Sequence, residues 1–166
     1  MNPLEDHFDR PMLVVGVGNL MRGDDAAGLI LAEKVAAKLH LEYLCCEEVP
    51  ENYVGKMLDD PADTILLVDA VDMKQAPGAI GLLAPDELAD NGISTHNCSV
   101  GLLAKVLAGV KDKQMLVLGI QPQDLRWGQP LTPQLSEAID RFVADLPDCR
   151  YSNSPLPQPN TFHKSA

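Results

Sequence analysis

Short apolar runs alternate with stretches of helical spacing along most of the chain. Five runs of five or six residues are predicted as strands, at residues 12–17, 42–46, 64–68, 79–83 and 115–120. The runs MLVVGV and TILLV consist mainly of branched apolar residues, which is typical of strands buried on both faces of a sheet. Between the strands, apolar residues recur at helical spacing over residues 26–40, 52–58 and 99–108.

The last predicted element is an amphipathic helix over residues 133–146. Thr132 can cap it and Pro133 suits its first turn. One apolar stripe follows, formed by Leu135, Ala138, Ile139, Phe142, Val143 and Leu146. Strands that alternate with helices predict a three-layer α/β fold, with helices on both faces of a five-stranded, mostly parallel sheet. The short spacer between the third and fourth strands predicts that one strand runs antiparallel.

The length of 166 residues indicates one domain, which we assign to residues 1–146. The apolar pattern stops after Leu146. Residues 147–166 contain four prolines among Ser, Asn and Gln, and we predict an irregular or disordered tail there.

Composition and charge indicate a globular protein and argue against binding to nucleic acid or membranes. Apolar residues make up 46% of the chain and charged residues 22%, as in ordinary globular proteins. The net charge is −11, from 24 acidic and 13 basic residues. Such a surface repels phosphate backbones and anionic lipids, so neither nucleic acid nor a membrane is an expected partner. The only early apolar run, at residues 12–17, is too short for a secretory signal or a membrane span.

The four cysteines are Cys45, Cys46, Cys98 and Cys149, and none of them forms a C-x-x-C pair. Two adjacent cysteines are a poor start for a disulfide framework. We therefore expect reduced, mostly buried thiols in a cytoplasmic protein rather than a zinc cluster.

Polar side chains gather where the predicted strands end. Asp25 lies in the loop after the first strand, Asp69 follows the third strand, and His96 precedes the helix at 99–108. Ligand sites of open α/β sheets form at the carboxyl ends of the strands, so these three residues are candidates for one site.

The first loop, GNLMRGDDAAG, resembles two nucleotide-binding motifs and fits neither. The third glycine of a dinucleotide fingerprint is replaced by Met21. The spacing from Gly18 to Gly23 is that of a phosphate loop, but Asp24 and Asp25 occupy the positions of its Lys and Ser or Thr. Carboxylates there would repel phosphate.

Each candidate also has a purely structural interpretation. Asp24 or Asp25 could cap the first helix, Asp69 could be a turn residue, and His96 could be a cap or an ordinary loop histidine. Taken together, two carboxylates and one imidazole suit a borderline divalent ion such as nickel or zinc, with positions left open for a substrate. The residues alone indicate an α/β protein with a metal or hydrolytic site.

Six segments in order carry a family resemblance: VVGVGNLMRGDDAAG, PEN, LLVDAVDM, APGAI, STHN and LGIQP. With them the chain resembles the hydrogenase maturation endopeptidases, which remove a C-terminal extension from the large subunit of NiFe hydrogenases after nickel insertion. STHN and LGIQP resemble the branch that serves hydrogenase 3, of the formate hydrogenlyase type. The resemblance spans about residues 12–146 and implies a five-stranded twisted sheet flanked by helices.

The resemblance also implies a site. The metal ligands of the family correspond to Asp25, Asp69 and His96, which we predict as both metal-binding and catalytic residues. Asp24 is the adjacent alternative for the first ligand. Many relatives carry Asp-Gly-Gly after the second strand, where this chain has CCEE at residues 45–48, and Glu47 or Glu48 could take the place of that aspartate.

The implied mechanism uses nickel that the substrate supplies, so no permanently bound cofactor is expected. Asp25 or Asp69 could act as general base while nickel polarises the scissile carbonyl, or nickel could only position the substrate. Two other functions are compatible with the same residues: a nickel-sensing maturation chaperone that does not cut, and a small-molecule hydrolase with a resident metal. We expect a monomer whose partner is the hydrogenase large-subunit precursor.

Overall fold

The computed structural model of the chain describes residues 1–91 and 100–148. Its strands are β1 Met12–Gly16, β2 Glu42–Cys45, β3 Thr64–Ala70, β4 Ile80–Leu83 and β5 Gln114–Ile120. Its α-helices are α1 Ala27–Leu39, α2 Val54–Asp59, α3 Pro85–Asn91, α4 Val100–Lys111 and α5 Pro133–Ala144. Short 3-10 helices occur at Glu5–His7, Gly23–Ala26 and Pro50–Tyr53.

The five strands form one sheet in the order β2-β1-β3-β5-β4. Neighbouring strands are parallel except for β4, which pairs antiparallel with β5. The predicted mixed α/β sheet with one antiparallel strand is therefore confirmed. The chain moves to one side of β1 to form β2 and returns to the other side to form β3. In open α/β sheets such a reversal marks the place of a ligand crevice, here beyond the carboxyl ends of β1 and β3.

Alternate residues of the central strands face two separate cores. Val14 of β1 and Leu66 of β3 belong to the core beneath α1 and α5. Val15 and Leu67, their chain neighbours, belong to the core beneath α2, α3 and α4. All residues of β1 and β3 are buried, as the uninterrupted apolar runs predict.

Three elements differ from the sequence-based expectation. The helix α3 was not predicted, because its sequence PDELADN has no apolar stripe of useful length. The predicted helix at 52–58 begins as a 3-10 helix at Pro50. The strand predicted to end at Val68 continues to Ala70, because Asp69 and Ala70 pair with Gly119 and Ile120 of β5.

The predicted domain boundary at Leu146 stays a prediction. Leu146 is buried in the α1–α5 core, and Asp148 forms an ion pair with Lys38 of α1. The rest of the predicted tail, residues 149–166, lies outside the described residues. In the part of the chain that the structure describes, no helix is long and apolar enough to cross a membrane.

Candidate active site

Asp25 and Asp69 lie at the crevice between the carboxyl ends of β1 and β3. Asp25 belongs to the 3-10 helix Gly23–Ala26 that leads from β1 into α1, and Asp69 is the penultimate residue of β3. Both side chains are fully buried, with 0% exposure. The expectation that Asp69 is a turn residue is wrong, since it is paired within the sheet.

The start of α1 packs directly against the end of β3. Gly28, three residues after Asp25, lies so close that a Cβ atom there would be 2.9 Å from the Cα atom of Asp69 and 2.2 Å from the carbonyl oxygen of Val17. The 3-10 helix that contains Asp25 also contacts β3. The fold therefore brings together the chain segments that carry these two carboxylates, although 44 positions separate them in the sequence.

Both carboxylates are buried, and a negative charge is costly to hold away from water. Oδ2 of Asp25 and Oδ1 of Asp69 are buried atoms that accept no hydrogen bond in the described part of the chain, although each carboxylate makes other interactions. A cation bound between carboxylates on adjoining segments gains from both negative charges. Oxygen ligands of this kind suit a divalent metal ion, and a carboxylate here can also accept a proton from water.

The third predicted ligand, His96, lies outside the described residues, and so does Cys98. Among residues 1–91 and 100–148, no group of three His, Cys, Asp or Glu side chains is arranged to hold a metal ion. The set Asp25, Asp69 and His96 therefore stays a prediction.

Asp24, the residue beside Asp25, has a different role. Its buried carboxylate accepts hydrogen bonds from the backbone amides of Gln123, Asp124 and Thr132, at 2.9, 2.9 and 2.8 Å. The hydroxyl group of Thr132 donates a fourth, at 3.1 Å. Asp24 thus ties the first loop to the segment between β5 and α5, and it does not cap α1. Thr132 precedes α5 as predicted, but its side chain bonds Asp24 instead of capping that helix.

Backbone contacts extend this connection between the first loop and the segment at residues 123–132. The amide of Gly23 donates to the carbonyl of Gln129 at 3.0 Å, and the amide of Gly128 donates to the carbonyl of Met21 at 2.8 Å. Nε of Arg22 donates to the carbonyl of Leu125 at 3.1 Å. Gly23 has φ +54° and approaches the Asp124 carbonyl so closely that a side chain would not fit. These contacts hold both segments in one arrangement.

The segment CCEE lies on the other side of the first loop. The amide of Gly18 donates to the carbonyl of Glu47 at 2.8 Å, and Glu47 adopts a left-handed conformation with φ +49°. The side chains of Glu47 and Glu48 are exposed. Cys46 is buried, and burial is the main cause that raises the pKa of its thiol to about 12. Of the two described cysteines, then, Cys46 is buried as expected and Cys45 is exposed.

Gln121, from the segment LGIQP, organises the chain that follows Asp69. Its Oε1 accepts hydrogen bonds from the amides of Met73 and Gln75, at 2.7 and 3.3 Å. Its Nε2 donates to the carboxylate of Asp72 at 3.2 Å. Lys74, through hydrogen bonds, and then Gln121 lower the pKa of Asp72. The sequence does not predict this contact, because 49 positions separate Gln121 from Asp72.

Comparison with known proteins identifies relatives of the chain. Residues 48–147 match a family model described as "Hydrogenase maturation protease". The chain is 34% identical over 135 residues to the hydrogenase 3 maturation protease of Escherichia coli K12, a match that covers 78% of this chain and 85% of the relative.

Solved structures agree with this result. A NiFe hydrogenase maturation protease HycI from Thermococcus kodakarensis is 27% identical and superposes with a TM-score of 0.75, over 85% of this chain and 94% of that one. An endopeptidase HycI from Escherichia coli is 32% identical, with a TM-score of 0.70 over 80% and 86% of the two chains. Both similarities cover at least 80% of this chain, so they apply to most of the fold.

Proposed function

The chain belongs to the hydrogenase maturation protease family, and we propose that it is the endopeptidase that removes the C-terminal extension of a NiFe hydrogenase large-subunit precursor after nickel insertion. The observation that carries the proposal is the position of two fully buried carboxylates, Asp25 and Asp69, at the crevice of a fold shared with named maturation proteases. A peptidase needs ionisable groups at its active site. Burial of such groups strengthens their interaction with a charge that a substrate brings.

We propose that the recognition element is the nickel ion carried by the precursor. Asp25 and Asp69, together with His96, would complete the coordination of a metal that substrate residues already hold. A dication would relieve the repulsion between the two carboxylates, whereas a nickel-free precursor would offer no such contact. Binding of the precursor would then depend directly on the presence of its nickel ion.

The peptide bond is cut by water in this proposal. Asp25 or Asp69 accepts a proton from the water that attacks the scissile carbonyl carbon, and the departing amine is protonated as the bond breaks. The metal of the substrate positions that carbonyl and is available to polarise it. The products are the mature large subunit, with a new carboxyl terminus, and the released extension.

The deciding experiment is mass spectrometry of the precursor before and after incubation with the protein. Nickel-loaded precursor should lose the mass of its extension, and nickel-free precursor should not. Unchanged mass of the loaded precursor would contradict cleavage and favour a non-cutting chaperone. Equal cleavage of both forms would contradict recognition through nickel.

The role of Asp25 is tested by Asp25→Asn, which keeps the size of the side chain and removes its charge. We expect processing to fall by at least a hundredfold. Because Asp25 is buried, circular dichroism and a thermal melt must show that the variant is folded. The matched control is Asp140→Asn, which removes an exposed carboxylate on α5 that pairs only with Lys34 among the described contacts. It should process at the wild-type rate.

We further propose that the protein acts in the cytoplasm as a monomer, with the large-subunit precursor as its partner. Cys45 and Cys46 are free thiols, which is consistent with a reducing compartment. The acidic surface of the chain disfavours nucleic acid and anionic membranes. Light scattering after size-exclusion chromatography measures the mass of the free protein and of its complex with the precursor.

A further inference from the structure

Large apolar side chains are exposed at the crevice edge of the sheet. Leu20 and Met21 in the first loop are 64% and 63% exposed, and Trp127, between β5 and α5, is 68% exposed. We refer to these three residues as the apolar platform. Contiguous exposed apolar surface with a polar rim marks an interaction site more often than isolated apolar residues do.

The two segments that carry the apolar platform are bonded to each other. The amide of Gly128, next to Trp127, donates to the carbonyl of Met21 at 2.8 Å. The Arg22 side chain and the buried Asp24 carboxylate add the hydrogen bonds to residues 123–132 described above. A surface held in this way loses little conformational entropy when a partner covers it.

Polar groups accompany Trp127 along the chain. Gln123 and Arg126, on the same segment, and Gln134 at the start of α5 line an open depression, and Arg126 is ion-paired with Asp124. An apolar centre with a polar border is the arrangement found at protein–protein contacts, where exposed tryptophans often supply much of the binding energy.

The platform also adjoins the candidate active site through the chain itself. Leu20 and Met21 precede Asp25 in one loop, and Asp24, which carries the link to residues 123–132, is the immediate neighbour of Asp25. A polypeptide whose scissile bond reaches Asp25 therefore comes near the loop that carries Leu20 and Met21.

We propose that the apolar platform is the docking surface for the folded large-subunit precursor, which it binds through an apolar patch near the scissile segment. This inference rests on the proposed function and adds to it a second contact, independent of the metal. Binding at the metal site depends on nickel, whereas the platform contributes affinity for the polypeptide itself.

Kinetics with matched variants test the proposal. Leu20→Ala and Trp127→Ala should each raise KM for nickel-loaded precursor about tenfold or more and leave kcat nearly unchanged, because the platform lies outside the reacting groups. The control is Leu102→Ala on α4, which removes the same side chain at almost the same exposure, 60%. Equal KM values for Leu20→Ala, Trp127→Ala and the control would overturn the proposal.

Hydroxyl-radical footprinting tests docking without reference to cleavage. Met21 and Trp127 carry side chains that oxidise readily, and Trp127 is the single tryptophan of the chain. Excess nickel-loaded precursor should lower their oxidation severalfold and leave Leu102 and Val110 of α4 unchanged. Unchanged oxidation of Met21 and Trp127 in the bound protein would overturn docking, even if the precursor is cut.

The two proposals fail in different ways. Protection of the platform without any loss of precursor mass would support docking and contradict the peptidase function. Protection that arises without precursor, as the protein concentration and its measured mass rise together, would assign the platform to self-association and overturn the docking proposal.

Discussion

The carboxylate of Asp24 accepts two hydrogen bonds from Thr132, one from its backbone amide and one from its hydroxyl group, across 108 positions of the sequence. This contact joins the loop after β1 to the residue that precedes α5. It also separates the roles of two adjacent aspartates, since the carboxylate of Asp24 bonds the segment at residues 123–132 while Asp25 lies on the segment that packs against the end of β3.

Replacing Asp24 by asparagine should destabilise the fold. An amide cannot accept all four hydrogen bonds, and its NH2 group would face backbone N–H donors. We expect a loss of about 3 kcal/mol in the free energy of unfolding, since hydrogen bonds to a buried charged group are costly to break. Urea denaturation measures it. Asp140→Asn, which removes an exposed carboxylate on α5, should leave the midpoint almost unchanged, and equal effects of the two variants would contradict the assigned role of Asp24.

Two glycines in helices should respond oppositely to alanine. In Gly28→Ala the new Cβ would lie 2.2 Å from the carbonyl oxygen of Val17, so α1 must move away from the sheet. We expect a loss of about 3 kcal/mol or more from this overpacking. Gly109 of α4 has no atom within 4 Å of that position, and Gly109→Ala should stabilise by about 0.5–1 kcal/mol. Thermal melts of both variants measure these changes in stability. A Gly28→Ala protein as stable as the wild type would show that the close approach of α1 is not required.

A substitution that introduces a negative charge tests the hydrogen bonds of Gln121. Gln121→Glu keeps an acceptor for the amide of Met73 but places a second carboxylate beside Asp72, whose pKa is already lowered by Lys74 and Gln121. Repulsion should raise the pKa of the introduced carboxyl group, so the destabilisation is present at neutral pH and lessens as the pH falls through that pKa. Unfolding free energies at pH 5 and pH 7.5 measure the difference. Gln121→Leu is the uncharged control, for which the loss, about 1–3 kcal/mol, should not depend on pH in this range.

Cys46 should make the protein sensitive to alkaline pH. The raised pKa means that its thiol stays protonated in the folded chain up to about pH 12, whereas the unfolded thiol ionises near the ordinary value of 9.0. Its contribution is complete below about pH 9 and is lost between pH 9 and 12, by up to about 1.4 kcal/mol per pH unit. Chemical denaturation across this range should give a shallower decline for Cys46→Ala than for the wild type. Parallel declines would indicate that Cys46 ionises equally in both states.

The sheet could be predicted from the sequence because its central strands have no polar face. Runs such as TILLV must be buried on both sides, and only a sheet between two helical layers provides that environment. The antiparallel strand was also predictable, since the spacer before β4 is too short for a crossover helix. The end of β3 was not predictable in the same way, because Asp69 interrupts the apolar run and only its pairing with Gly119 shows that the strand continues.

The candidate site could be predicted only in part. Position after a strand indicates which end of the sheet Asp25 occupies, because all parallel strands end at one edge. It does not distinguish Asp25 from Asp24, since the difference depends on Thr132 and its neighbours far along the chain. The contacts of Gln121 likewise depend on residues far away in the sequence. Long-range hydrogen bonds between loops leave no periodic pattern in the sequence, so the contacts of Asp24 and Gln121 could not be predicted from it.

The place of β5 in the sheet has a consequence for how the chain is made. Among the strands that the structure describes, β5 is the last to be synthesised, yet it lies between β3 and β4, and β4 pairs with none of the others. Until residues 114–120 have left the ribosome, the nascent chain therefore carries β3 with one open edge and an apolar surface on both faces. Unpaired strands of this kind associate readily with other chains, so a product truncated before β5 should aggregate and depend on chaperones, whereas completion of β5 closes that edge from within.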